Sequence, residues 1–132
     1  MSRSAVASTI VALLLVVAAC GGDSDEPTRS YTIDLHTTDD MEEYEYIADD
    51  PIDVRVGDEV TFDVAITGAL VHDLQVVDPD GTAIGTAPPA VPGDSTSVTV
   101  HFQEPGFYRL NCLVDDHLTA HAMQAIIEVT DA

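Results

Sequence analysis

The sequence predicts an all-β fold, a single sandwich or barrel. Three observations point there. Apolar residues alternate with polar ones in short segments, turn sequences separate those segments at close spacing, and no segment carries a long helical period. The length of 132 residues allows one domain and not two.

The N-terminal stretch reads as an address rather than as part of that fold. Arg3 is followed by an apolar run from Ile10 to Val17 and the small residues Ala18 and Ala19, which together describe a secretory signal over residues 1–19. The run falls short of the roughly 20 apolar residues a membrane span needs. Val17-Ala18-Ala19-Cys20 resembles a bacterial lipobox, which implies cleavage before Cys20, lipidation of that cysteine and an extracytoplasmic, membrane-anchored protein; ordinary secretion with Cys20 incidental is the alternative. Gly21 to Ser30 is polar and turn-rich and predicts, with Cys20, a flexible acidic tether over residues 20–30. Such a segment reaches at most roughly 35 Å. The folded domain is expected over residues 31–132.

Within that domain the strands follow in order. Tyr31, Ile33 and Leu35 alternate with Thr32, Asp34 and His36. Ile52, Val54 and Val56 alternate with Asp53 and Arg55, and Val60, Phe62, Val64 and Ile66 with Thr61, Asp63 and Ala65. Val71 to Val77 is a further strand closed by the turn Asp78-Pro79-Asp80-Gly81. The proline-rich stretch Thr86–Pro92 is expected to be loop. Val98, Val100 and Phe102 form another alternating segment, Phe107–Cys112 follows the turn Glu104-Pro105-Gly106, and Ala125–Thr130 is the last strand. One helical turn fits between Asp115 and His121. His36 and His101 fall on the polar phase of their strands and are expected at the surface.

Charge narrows the function. The chain has 24 acidic and 4 basic residues, a formal charge of −20, and all four basic residues are arginine. A nucleic-acid binder would need a basic surface, so that class is excluded, and docking onto anionic lipid is disfavoured. The acidity favours basic partners or cations, or reflects adaptation to a saline habitat. The clusters Asp39-Asp40 with Glu42-Glu43, and Asp49-Asp50, lack the fixed spacing of a calcium loop and are expected to be solvated surface. No phosphate-binding loop is present.

Two cysteines remain to be explained. If Cys20 is lipidated, Cys112 is a lone thiol in an oxidising compartment, where metal ligation or inert burial would account for it. Its surroundings favour the metal. Cys112, His117 and Met123 form a C-x4-H-x5-M pattern between two expected strands, and His72 lies about forty residues upstream on a third. One thiolate, two imidazoles and a weak axial thioether make up the set that suits a blue-copper electron-transfer site.

With these residues the chain resembles the cupredoxin (type 1 blue-copper) family. The likeness is carried by Ile52-Asp53-Val54-Arg55-Val56-Gly57-Asp58-Glu59-Val60-Thr61-Phe62, by Val71-His72-Asp73-Leu74, by Glu104-Pro105-Gly106-Phe107-Tyr108 and by the cysteine loop. It implies a Greek-key β-sandwich or barrel, one copper ion, and His72, Cys112, His117 and Met123 as its ligands. The five residues between His117 and Met123 exceed the three or four the family leads one to expect, so His121 and a main-chain carbonyl stand as alternative axial donors. The loop is also similar to the terminal copper loop of multicopper oxidases. There histidines flank the cysteine on both sides, whereas here the flanks are Asn111 and Leu113, which argues against oxygen reduction and against an enzyme.

The expected function is therefore that of a membrane-anchored, extracytoplasmic one-electron carrier. The alternatives are a copper storage or delivery module, and a metal-free accessory domain with the same fold. Leu70, Leu113, Val114, Leu118 and Ala120 are expected to surround an exposed edge of His117, where a redox protein would dock while outer acidic residues steer a basic docking face. Partners are redox proteins (a cytochrome or a copper oxidase or reductase) and the membrane, with no nucleic acid, and the protein is expected to be a monomer. Asp73 and Asn111 are candidates to hydrogen-bond near the ligands.

Overall fold

The computed structural model describes residues 28–40 and 42–132. The expected signal segment, Cys20 and all but the last residues of the expected tether lie outside the described residues. Among the described residues no helix is long and apolar enough to cross a membrane.

Nine strands and one short helix follow in the order β1 (Ser30–Thr38), β2 (Glu45–Ala48), β3 (Val54–Arg55), β4 (Glu59–Ala65), β5 (His72–Val77), β6 (Ala83–Ala90), β7 (Ser95–His101), β8 (Gly106–Asn111), α1 (His117–His121) and β9 (Gln124–Thr130). They form two sheets, ordered β2-β1-β4-β7 and β3-β9-β8-β5-β6. The pairs β1–β4 and β3–β9 are parallel, and every other pair is antiparallel. The pairs β1–β2, β5–β6 and β8–β9 each stay within one sheet, and the other connections cross between the two sheets over one core.

The alternation seen in the sequence is what builds that core. Val60, Phe62 and Val64 of β4 are completely buried, while Glu59 and Ala65 of the same strand are exposed. Phe62 meets Phe102 edge-on at 6.2 Å between ring centres, and Phe102 meets Tyr108 in the same way at 4.9 Å. Tyr108 is buried but keeps its hydroxyl satisfied, donating to the Glu104 carbonyl at 2.8 Å and tying down the Glu104-Pro105-Gly106 turn. Gly106 sits at φ 136°, where a side chain would be strained and would also strike Pro79.

Three features differ from the sequence expectations. The stretch Thr86–Pro92 is not simply loop: through Ala90 it belongs to β6. Its prolines are tolerated because β6 is the outer strand of its sheet and pairs only with β5. Second, β2 was not foreseen, because its single well-buried residue, Tyr46, lies among glutamates and aspartates. Third, the folded body starts before Tyr31. Ser30 opens β1, the Arg29 carbonyl accepts a hydrogen bond from the Glu59 amide at 2.8 Å, and the Arg29 guanidinium grips the buried carboxylate of Asp58.

Candidate metal centre

Three strand ends meet at one rim of the sandwich. His72 opens β5, Cys112 follows the last residue of β8, and Met123 precedes the first residue of β9. Because β8 runs antiparallel to both β5 and β9, these termini share one end of the sheet. A register shift between His72 and Leu74, opposite the Pro88-Pro89 stretch of β6, leaves His72, Asp73 and Leu74 all buried. Such a bulge re-aims a side chain that regular pleating would turn elsewhere. His117 arrives as the first residue of α1.

The structure brings together three of the four residues singled out as ligands, and it holds the fourth beside them. The Cys112 sulfur lies 3.8 Å from His72 Nδ1 and 3.6 Å from His117 Nδ1, and the two nitrogens are 3.2 Å apart. These separations leave a point about 2.1 Å from all three atoms. That matches metal–imidazole bonds of about 2.0–2.1 Å and is slightly under a metal–thiolate bond of about 2.3 Å, taking zinc as a guide for a first-row ion. The donor set fits copper, since a soft thiolate with two imidazoles suits both of its oxidation states.

Met123 is wholly buried, and its backbone is braced from both sides. The Cys112 amide donates to its carbonyl at 3.1 Å, and its own amide donates to the His117 carbonyl at 3.0 Å. The longer His117–Met123 gap is absorbed locally. Residues His117–His121 wind into one helical turn, and Ala122 takes a left-handed conformation at φ 52° that returns the chain to β9. Asp115, at φ 44°, makes the corresponding reversal on the Cys112 side. Non-glycine residues in this region cost energy and persist where surrounding contacts fix them.

His121 is not part of the cluster. Its ring stacks on Tyr44 at 4.1 Å, its Nδ1 donates to the Glu42 carbonyl at 2.7 Å, and its ring centre is 6.4 Å from that of His117. His101 is exposed as expected, and His36 lies at the surface with Nδ1 2.7 Å from the Asp49 carboxylate.

Burial sets the protonation of the donors. It pushes the Cys112 thiol above its ordinary range, although the backbone amides of Asp73 and Val114 at the sulfur partly oppose the shift. Burial lowers His117, and the neighbouring His72 adds to the effect, so the ring stays neutral and able to ligate near pH 7. A bound cation would convert the thiol to thiolate.

The surroundings of the cluster were only partly foreseen. Asp73 does support the loop, its carboxylate accepting from the Leu113 amide at 2.7 Å while its carbonyl accepts from the buried Tyr46 hydroxyl. Asn111 instead bonds to Gln124 at 2.7 Å, fastening β8 to β9. Asp39, expected as solvated surface, is half-buried with its side chain turned inward, where its carboxylate accepts from His72 Nε2 at 2.9 Å. The expected exposed edge of His117 is small, the residue being 6% exposed. Tyr44 covers it edge-on at 4.9 Å and also meets His72 at 6.0 Å. Leu70 and Leu113, close in sequence to His72 and Cys112, are exposed. Neither Asp39 nor Tyr44 carries a sequence signal, since a connection between two strands brings both to the site.

No family model matches the chain, and no curated protein is similar to it in sequence. Among solved structures it is similar to auracyanin B, with a TM-score of 0.64 and 17% identity over 79% of this chain and 91% of that one. An auracyanin from Roseiflexus castenholzii gives a TM-score of 0.57 and 19% identity over 78% and 98% of the two chains. Auracyanin A, a "blue" copper protein from Chloroflexus aurantiacus, gives 0.56 and 18% over 74% and 98%. At these identities the likeness speaks to the fold: the chain is a two-sheet cupredoxin β-sandwich, with His72, Cys112 and His117 clustered at one rim.

Proposed function

We propose that this protein is a type 1 copper protein that carries one electron at a time. The observation that carries this reading is the triangle of Cys112 Sγ, His72 Nδ1 and His117 Nδ1, whose sides leave room for one ion at bonding distance from all three. His72, Cys112 and His117 would hold the ion, with Met123 as a fourth donor. Copper bound there supplies a one-electron couple. The protein's part is to keep the donors still. Cys112 is fixed by the end of β8, His72 by β5, and His117 and Met123 by the hydrogen bonds that close the loop. Donors already placed need little rearrangement when the charge changes, which keeps the barrier to transfer low. The resemblance in fold to auracyanins supports the same reading.

Electrons would enter and leave through the rim where Leu70 and Leu113 are exposed and Tyr44 and His117 meet. A formal charge of −20 would steer a redox partner with a basic docking face. The Val17-Ala18-Ala19-Cys20 sequence supports anchoring by a lipidated Cys20 on the extracytoplasmic side of a membrane. Mass spectrometry of the N-terminal peptide from membranes tests this: acyl chains on Cys20 support the anchor, and an unmodified Cys20 refutes it.

The copper reading is tested by adding Cu(II) to the purified protein. An intense thiolate-to-copper absorption band that ascorbate bleaches reversibly is the expected result, and Cys112→Ser abolishes it. Copper bound without that band identifies a delivery or storage module, and no binding refutes the metal assignment.

A further inference from the structure

We infer that Asp39 is a positioning residue for the copper site, fixing which nitrogen of His72 faces the metal and, through its charge, lowering the reduction potential. The inference rests on the copper reading above. Its own basis is a separate set of contacts.

The Asp39 side chain is 2% exposed and that of His72 is fully buried. The carboxylate takes three hydrogen bonds, from the Ala69 amide at 2.8 Å, the Leu70 amide at 2.9 Å and His72 Nε2 at 2.9 Å. Oδ1 accepts from the Ala69 amide and Oδ2 from the Leu70 amide, so both oxygens are held as acceptors. His72 Nε2 must then carry the proton, which leaves the lone pair on Nδ1. That is the atom 3.8 Å from the Cys112 sulfur and 3.2 Å from His117 Nδ1.

The chain reserves space for this carboxylate. A Cβ on Gly68 would overlap the Asp39 side-chain carboxyl group, so glycine there lets the loop fold over the acid and aim the next two amides at it. A buried carboxylate is costly to keep. Its effect at the metal gives it a use: a carboxylate on the far nitrogen makes an imidazole a stronger donor, and a stronger donor favours the oxidised, more positive ion.

The test uses the copper-loaded full chain and three variants. Asp39→Asn removes the charge with little change of shape. Gly68→Ala displaces the carboxylate without touching its charge. Asp40→Asn removes an exposed charge from the same loop and controls for net charge. Competition with chelators is expected to show Cu(II) binding weakened 10- to 100-fold in Asp39→Asn, with Cu(I) binding less affected. The potential then rises by about 59 mV for each tenfold difference between the two affinities. Gly68→Ala is expected to move it in the same direction, and Asp40→Asn to leave it at the wild-type value. In the metal-free wild type, nitrogen-15 NMR is expected to find His72 protonated at Nε2. That measurement stands even if Asp39→Asn fails to fold.

A blue wild-type protein whose potential is the same in Asp39→Asn and Asp40→Asn overturns the inference and leaves the copper reading intact. A His72 proton on Nδ1 also overturns it. A wild type without the thiolate band overturns the copper reading instead.

Discussion

Asp58 ties the start of the domain to its body, and acid is expected to loosen that tie. Its carboxylate accepts from Arg29 Nε at 2.9 Å and from Arg29 Nη2, from the Tyr31 hydroxyl at 2.9 Å and from the Arg55 amide at 2.9 Å. The Arg29 guanidinium, helped by that amide and hydroxyl, holds the carboxyl at about 2, against an ordinary value of 3.8. A depressed carboxyl stabilises the fold fully above its unfolded value and loses that contribution as pH falls through the folded one. The difference corresponds to at most about 2.5 kcal/mol. Arg29 is 41% exposed, so solvent screening reduces the expected contribution to about 1–2 kcal/mol. Urea unfolding of the metal-free protein and of Asp58→Asn, from pH 7 to pH 2, measures it. At pH 7 the variant is expected to unfold at roughly 0.5–1 M less urea, for a slope of about 1–3 kcal/mol/M. The gap is expected to close between about pH 4 and pH 2, because the wild-type carboxyl then becomes neutral like the amide. A gap that stays constant across this range would refute the ion-pair account.

Other expectations concern the core, the axial position and the charge. Phe62→Ala removes a fully buried ring that packs against Phe102 and is expected to cost about 3–5 kcal/mol, read by urea unfolding at pH 7. Met123→Gln replaces a soft thioether with a harder oxygen and is expected to lower the potential and alter the electron paramagnetic resonance spectrum. His121→Ala, at a residue outside the cluster, is expected to leave that spectrum unchanged; a changed spectrum would place His121 at the metal. With a formal charge of −20, the fold repels itself, so moderate salt is expected to raise the melting temperature, and a flat salt response would contradict this.

Most of the strand order was legible because the core is one-sided. Each of β1, β4, β7 and β9 buries every second residue over a stretch, and that rhythm survives in the sequence. β2 escaped because only Tyr46 points well into the core, and β6 because prolines usually mark loops yet are permitted on an outer strand. The clustered residues were legible for a different reason. Cys112, His117 and Met123 fall in one loop at a spacing that suits donors to a single ion, and His72 opens a recognisable strand. Asp39 and Tyr44 were hidden because nothing local marks them. Asp39 reaches His72 across 33 residues and looks, in sequence, like its acidic neighbours. Only the fold shows that Gly68 makes room for it.

X-ray absorption at the copper edge of the loaded protein reads the atoms bound to the ion. The expected result is one short thiolate–copper distance and two imidazole nitrogens, with the short sulfur distance lost in Cys112→Ser. A shell of nitrogen and oxygen alone in the wild type would contradict it.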